Sequence, residues 1–272
     1  MRVRWKASIL TSVTYFIVIL FIFPAIWMLL TGLKTERAAY SSTPSLLFKP
    51  TLTQFALAWH SNFLFYLGHS VTASLVSTAI AIVLGIPAAY AMVFHLPKKA
   101  SKNMLFFVLS TRFMPFAAII VPLYIIFLHL HLLDTLQSLI IVYTAMNVPL
   151  IIWMARSYFM DLPVGIIEAA RIDGCTPYQT LLRVAVPLSS SGLTASALLA
   201  IIFSWNDFFF AVNLTFTKST TLPIMMSSFM SSESLFLAKV SALGVLIGVV
   251  PIVLGLYAQR HIVRGLTAGA VK

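Results

Sequence analysis

The chain has 272 residues, 60% of them hydrophobic and only 9% charged, with a mean hydropathy of +0.97 and a formal net charge of +11. A soluble domain of this size needs far more surface charge, so the composition excludes one and indicates a multi-spanning membrane protein. The basic residues fall between apolar runs rather than on one surface, which argues for membrane lipid and against nucleic acid as a partner.

The N-terminal segment opens with Arg2, Arg4 and Lys6 and then runs through 27 uncharged positions, 7–33. A signal h-region is shorter, about 7–15 residues, and ends at a small-residue cleavage site. "WMLLTGLKTE" offers no convincing one, so the run is read as a retained span, 8–32. Crossing the hydrocarbon layer takes about 20 mainly apolar residues. Five further segments qualify, at 68–94, 104–130, 135–158, 187–212 and 240–259. Barrel strands are shorter and alternate apolar with polar residues, so the expected fold is all-α with six transmembrane helices.

Six spans place both termini on one side. Taking that side as cytoplasmic puts 12 basic residues inside, among them Lys98, Lys99, Lys102, Arg156, Arg171 and Arg183. Five lie outside (Lys34, Arg37, Lys49, Lys218 and Lys239). The positive-inside rule supports this orientation. Long outer loops are expected at 33–67 and 213–239. The pair His129 and His131 beside Asp134 reads as an interfacial turn, and no metal site is expected. Cys175 stands alone and has no disulfide partner in the chain.

Small residues recur on span 2 (Ala73, Ser77, Ala81, Gly85, Ala89) and on span 6 (Ser241, Gly244, Gly248, Gly255). Such ridges let helix backbones approach closely in lipid, with bundle packing as the ordinary use. Pro87, Pro115, Pro122, Pro149 and Pro251 permit kinks where protein or water satisfies the freed carbonyls.

The segment 161–187 breaks the oily pattern. Glu168, Arg171, Asp173 and Arg183 lie within 16 positions. Asp161 can cap a helix whose first turn holds Pro163. Gly174 is placed to end that helix in a left-handed turn. Thr176 can cap a second helix with Pro177 at its first position, and Pro187 is expected to open span 5. Two capped helices with an apolar face carrying Tyr178, Leu181, Leu182 and Val184 suit docking better than a solvated connector.

At these residues the chain resembles a known family. "EAARIDG", followed nine residues after Gly174 by "VAVP", is similar to the EAA loop of binding-protein-dependent ABC importer permeases. Glu168, Gly174, Val184, Val186 and Pro187 fit the spacing. "QRHIVRGLTAGAVK", 259–272, resembles the tail of carbohydrate-importer permeases of the maltose type. "LLDTLQSLIIVYTAMNVPLIIWM" and "WNDFFFAVNLT" add further matches. The likeness is strongest from 112 to 272 and weak over 1–65. Gly165 departs from it, standing where the family often has an acidic residue.

The resemblance implies a single type I ABC importer transmembrane domain over 1–272, with core spans 68–259, coupling loop 161–187 and cytoplasmic tail 260–272. It implies that Glu168, Ala169, Ala170, Asp173, Gly174, Tyr178, Leu181 and Pro187 couple to an ATPase. By position in the tail, Gln259, Arg260, Gly265, Thr267, Gly269 and Lys272 would contact that ATPase. Implied partners are a second homologous permease, a dimer of ABC ATPase subunits and an extracytoplasmic solute-binding protein meeting 213–239. The implied setting is the prokaryotic inner membrane.

The chain has no G-x-x-x-x-G-K-[ST] phosphate loop, so it is not expected to be an enzyme or to hold a cofactor. ATP and Mg would be bound by the partner ATPase. Charges inside spans are candidates for a transport path. Arg112 is expected roughly 15 Å into span 3 and Asp207 roughly 30 Å along span 5, too far apart in depth for a direct pair. Trp153, Asn147, Tyr124, Tyr143, Trp205 and Asn206 offer the hydrogen bonds and flat faces that a sugar or polyol needs. The alternative, a secondary ion-coupled transporter, calls for inverted repeats and mid-membrane carboxylates. A membrane enzyme calls for a converging acid, base or metal set. Neither pattern is visible.

Overall fold

The structure, a computed structural model, describes residues 2–41, 46–230 and 236–268, with side chains described for 9–41, 46–230 and 236–259. Among the described residues there are fourteen α-helices, with short 3-10 and π turns between them and no strand element. Four helices are long and apolar enough to cross a membrane: Ile9–Gly32, Phe63–Phe94, Leu136–Met160 and Leu237–Gln259. Two bent helix pairs raise the number of candidate spans to six if each pair counts as one. The chain divides into two compact units, residues 1–64 with 225–250, and 65–224 with 251–272.

The first unit holds α1 (Arg2–Gly32), α2 (Glu36–Ala39), α3 (Thr53–His60) and the first part of α14 (Leu237–Ala268). From Ile9 onward α1 presents apolar side chains all round, as a lipid-facing helix does. Gly32 lets it approach α14, since a Cβ there would stand 3.0 Å from the Ala242 backbone. The Glu36 carboxylate accepts hydrogen bonds from the backbone N–H groups of Ala238 and Lys239 and so caps the start of α14. Lys34, read from sequence as an outer-loop charge, is buried, with its ammonium 5.2 Å from the Trp27 ring and 5.1 Å from the Phe48 ring. Those ring faces compensate its charge in part.

The second unit is organised around α7 (Leu136–Met160), which packs on α4 (Phe63–Phe94) and α11 (Ser190–Trp205). The small-residue ridge of α4 serves this packing. Ala73, Ser77, Ala81, Gly85 and Ala89 are all buried, and a Cβ on Gly85 would meet Ile151 of α7 at 2.7 Å. Two turns further along α7, Gly192 of α11 leaves room for the ring of Tyr158.

Two expected spans are broken. The segment 104–130 is not one helix: α5 (Lys98–Ser110) and a 3-10 turn, Thr111–Phe113, meet α6 (Phe116–His129) at 87°. Pro115 has no N–H to continue the ladder, and Met114 before it is extended at φ −67°, ψ 127°, as a residue preceding proline prefers. The segment 187–212 is likewise divided. Pro187 lies inside α10 (Val186–Leu188), the chain turns through 85°, and α11 begins at Ser190. It stops at Trp205, and α12 (Phe209–Leu214) follows after a short gap. By contrast α4, α6, α7 and α14 each continue through their internal prolines.

Candidate functional site

The loop 161–187 folds as a short α8 (Val164–Ile172), a turn, and α9 (Pro177–Thr180) running through a π turn, Leu181–Ala185, into α10. Asp161 does not cap α8, as the sequence suggested. It ends α7, and Pro163 occupies the N-cap position without a side-chain bond. The other end of α8 matches expectation. Gly174 adopts φ +83°, the Gly174 N–H donates to the carbonyl of Arg171, and the Cys175 N–H donates to that of Ala170. These are the two bonds of a Schellman turn. Thr176 and Gln179 then form a reciprocal capping box around Pro177, each side chain accepting the other residue's backbone N–H.

These fixed turns sort the side chains into two sets. Ile167, Leu181 and Ala185 pack with Ala89, Tyr90 and Phe159, and Ala170 and Thr180 are buried too. Glu168, Ala169, Asp173 and Pro187 stay exposed. So do large apolar groups, Ile172 at 86% and Tyr178 at 66%. The apolar face expected for the second helix therefore splits, with Leu181 turned inward and Tyr178 and Leu182 outward. The ordered helix pair thus leaves a tyrosine and an isoleucine uncovered, the kind of exposed apolar group that interaction sites use.

Arg112 sits on the 3-10 turn at the bend before α6, its guanidinium carbon 5.3 Å from the Phe203 ring. It lines a cavity of about 260 Å³ with Met114, Phe116, Met146 and Phe210. Asp207 occupies the gap after α11, where its Oδ2 accepts from the Tyr143 hydroxyl at 3.0 Å and the Ala211 N–H at 3.1 Å. Arg112 and Asp207 thus have separate partners. Asn147, one turn from Tyr143 on α7, donates to Ser204 Oγ at 2.8 Å and to the Ala200 carbonyl at 3.3 Å. Tyr143–Asp207 and Asn147–Ser204 are thus two polar ties between α7 and the end of α11. Asn206 bonds only its own helix, at the Ile202 carbonyl, and Trp153 is 51% exposed on α7. The structure joins neither to the other candidates.

Asp134 is the residue that sequence reasoning underrated. At φ +54° it accepts hydrogen bonds from the N–H groups of Phe216, Thr217, Lys218 and Ser219 and from the Thr217 and Ser219 hydroxyls. Burial is the largest single influence and pushes the carboxyl up, but the bonds from the Phe216, Lys218 and Thr217 N–H groups and the Thr217 hydroxyl together outweigh it and hold the carboxyl down at about 2. His131, at φ +54°, closes α6 in the turn that the paired histidines suggested.

In the tail, α14 continues as helix through Gln259, Arg260, Gly265 and Thr267. Gln259 is exposed, whereas Gly269 and Lys272 lie outside the described residues.

Comparison with known proteins decides what this arrangement belongs to. The family of binding-protein-dependent transport system inner membrane components matches residues 81–267. The chain belongs to that family. This permease is 36% identical over 253 residues to the probable ABC transporter permease protein y4oR of Sinorhizobium fredii, covering 93% of this chain and 91% of that one. It is 34% identical over 256 residues to the sulfoquinovosyl glycerol transport system permease protein SmoH of Agrobacterium fabrum, covering 92% and 89%. Its fold matches a chain of a bacterial ABC transporter involved in import of the acidic polysaccharide alginate, with a TM-score of 0.72 at 18% identity over 94% of this chain and 96% of that one. The permease is thus a multi-pass membrane protein of the ABC importer class.

Proposed function

We propose that this permease pairs with a second, homologous permease to form the translocation path for a sugar or related polyol. ATP hydrolysis on a separate dimer of ABC subunits drives it, and an extracytoplasmic solute-binding protein delivers the substrate. The permease itself holds no cofactor, ATP and Mg being bound by the ATPase. The observation that carries the reading is the α8–α9 pair: a Schellman turn and a capping box fix two helices that leave Ile172 and Tyr178 uncovered. A rigid, unfilled apolar surface transmits a push from a docked subunit, whereas a solvated connector would absorb it.

In this reading the whole chain is one transmembrane domain with six crossings, and both termini and the α8–α9 loop are cytoplasmic. Glu168, Ala169, Asp173, Gly174 and Tyr178 meet the ATPase, while Ala170 and Leu181 brace the loop from within. Gln259 to Lys272 add a second ATPase contact. Arg112, Asn147, Trp153, Asn206 and Asp207 are the proposed path residues. Trp153 and Asn206 have the uncovered faces that substrate contact requires, and Asn147 and Asp207 are already engaged between helices. The substrate class rests on relatives such as the sulfoquinovosyl glycerol permease.

The experiment is to purify the permease with its partners from its own cells and measure ATP hydrolysis with the binding protein and a panel of sugars. Stimulation by one sugar supports the reading. An isolated permease that drives uptake in an ion gradient without any ATPase contradicts it.

A further inference from the structure

A cavity of about 610 Å³ lies where α4 and α7 end, between the start of α5 and one flank of α8. Its volume is within the range of ligand sites, about 300–1,000 Å³. Four cations converge on it: Lys98 and Lys102, one turn apart on α5, Arg156 near the end of α7, and Arg171 on the last turn of α8. Glu168 is the single carboxylate in its wall. The two arginines are already aimed by protein bonds, Arg156 Nε to Ser101 Oγ at 3.3 Å and Arg171 Nη2 to the Phe94 carbonyl at 3.4 Å. Both use one donor and keep the rest of the guanidinium available. Apart from Ser101 the remainder of the wall is apolar and includes the buried Phe159 and Ile167.

This combination specifies a ligand that is anionic at one end and apolar at the other. Its level in the fold says where such a ligand comes from. Phe94 and Met160, the last residues of two helices long enough to cross a membrane, both line the cavity. The cations therefore stand at one end of two candidate spans, the side on which a helix leaves the hydrocarbon for the headgroups. Basic pockets at that level bind anionic lipid headgroups.

We propose that this cavity holds the phosphodiester headgroup of an anionic phospholipid, with its phosphate among Lys98, Lys102 and Arg171 and the start of its acyl chains against the apolar wall. Because α8 forms one side, the lipid braces the helix from the flank that carries Glu168. The inference rests on the cavity and stands whether or not α8 couples to an ATPase.

The test uses the intact transporter complex, titrated with phosphatidylglycerol and read by native mass spectrometry. Lys98→Gln and Lys99→Gln remove the same charge from adjacent positions, but Lys99 does not line the cavity. Lys98→Gln is expected to weaken retention of the lipid about fivefold, the loss for one basic side chain at a membrane surface. Lys99→Gln should leave it at the wild-type value. Equal losses in both variants, or none in either, would mean general surface attraction or a cavity filled by a partner subunit, and would overturn the proposal. Displacement of the lipid by inorganic phosphate at equal concentration would assign the cavity to a small anion and overturn it too.

Discussion

The hydroxyl of Tyr143 donates to Oδ2 of Asp207 across 3.0 Å, joining the middle of α7 to the gap between α11 and α12. Tyr143 is fully buried, so its hydroxyl has no water to fall back on. The bond also gives the carboxylate a second donor beside the Ala211 N–H, at the point where α11 stops.

Removing that hydroxyl leaves a carboxylate short of a donor. Tyr143→Phe is expected to cost about 1.5–3 kcal/mol, the range for hydrogen bonds to charged groups. Asp207→Asn should cost less, because the amide oxygen can still accept. Thermal unfolding of the single and double variants in detergent gives the coupling, and additive losses would contradict a direct bond.

Asp134 gives a pH signature. Its folded pKa of about 2 lies below the ordinary value of 3.8. Its contribution is therefore present above about pH 4 and is lost as the pH falls through 2. The carboxylate is partly in water, so the contribution is discounted to about 1 kcal/mol. Asp134→Asn should remove the difference in unfolding temperature between pH 5 and pH 2.5 that this group contributes, while its neighbours' titration persists. An unchanged difference would contradict the assignment.

The close approach of α7 and α11 predicts that Gly192 admits no side chain. A Cβ there would stand 2.4 Å from the Tyr158 ring. Gly192→Val is expected to destabilise by about 1–3 kcal/mol through overpacking. Gly165→Val, where a Cβ meets nothing within 4 Å, is the control for added bulk and should cost less in the same unfolding assay.

Within the proposed path, Trp153 and Asn147 separate substrate contact from the ties that hold the helices together. Trp153→Ala should raise the KM for uptake with little change in unfolding temperature, because the ring is 51% exposed. Asn147→Ala should do the reverse, lowering stability by about 1 kcal/mol for the lost tie to Ser204. Transport kinetics in vesicles, set beside unfolding curves, distinguish them.

Legibility followed the range of the interactions. The long apolar helices α1, α4, α7 and α14 were plain, because span length and hydropathy are local quantities. So were the Gly174 turn and the Thr176 cap, whose chemistry lies within five residues. The breaks at Met114 and Ser189 were not. Pro115 marked a possible kink, but Pro87, Pro122, Pro149 and Pro251 read the same way and lie within continuous helices. Whether a proline bends or breaks a helix depends on what packs beside it. The role of Asp134 was not legible because its carboxylate's partners lie 82–85 positions away. Asp161 misled because an acid before a proline suits an N-cap, while the chain uses it to end α7.

The central claim is that the α8–α9 turn transmits ATP hydrolysis to the path, and Gly174 tests it most directly. At φ +83° a β-branched side chain is strained, yet a Cβ there meets nothing within 4 Å, so Gly174→Val should distort this turn without disturbing the spans. In vesicles containing the whole transporter, uptake and ATP hydrolysis are measured together. The account predicts normal insertion and assembly, with substrate imported per ATP hydrolysed falling at least about tenfold. Full uptake at the wild-type ratio would contradict it.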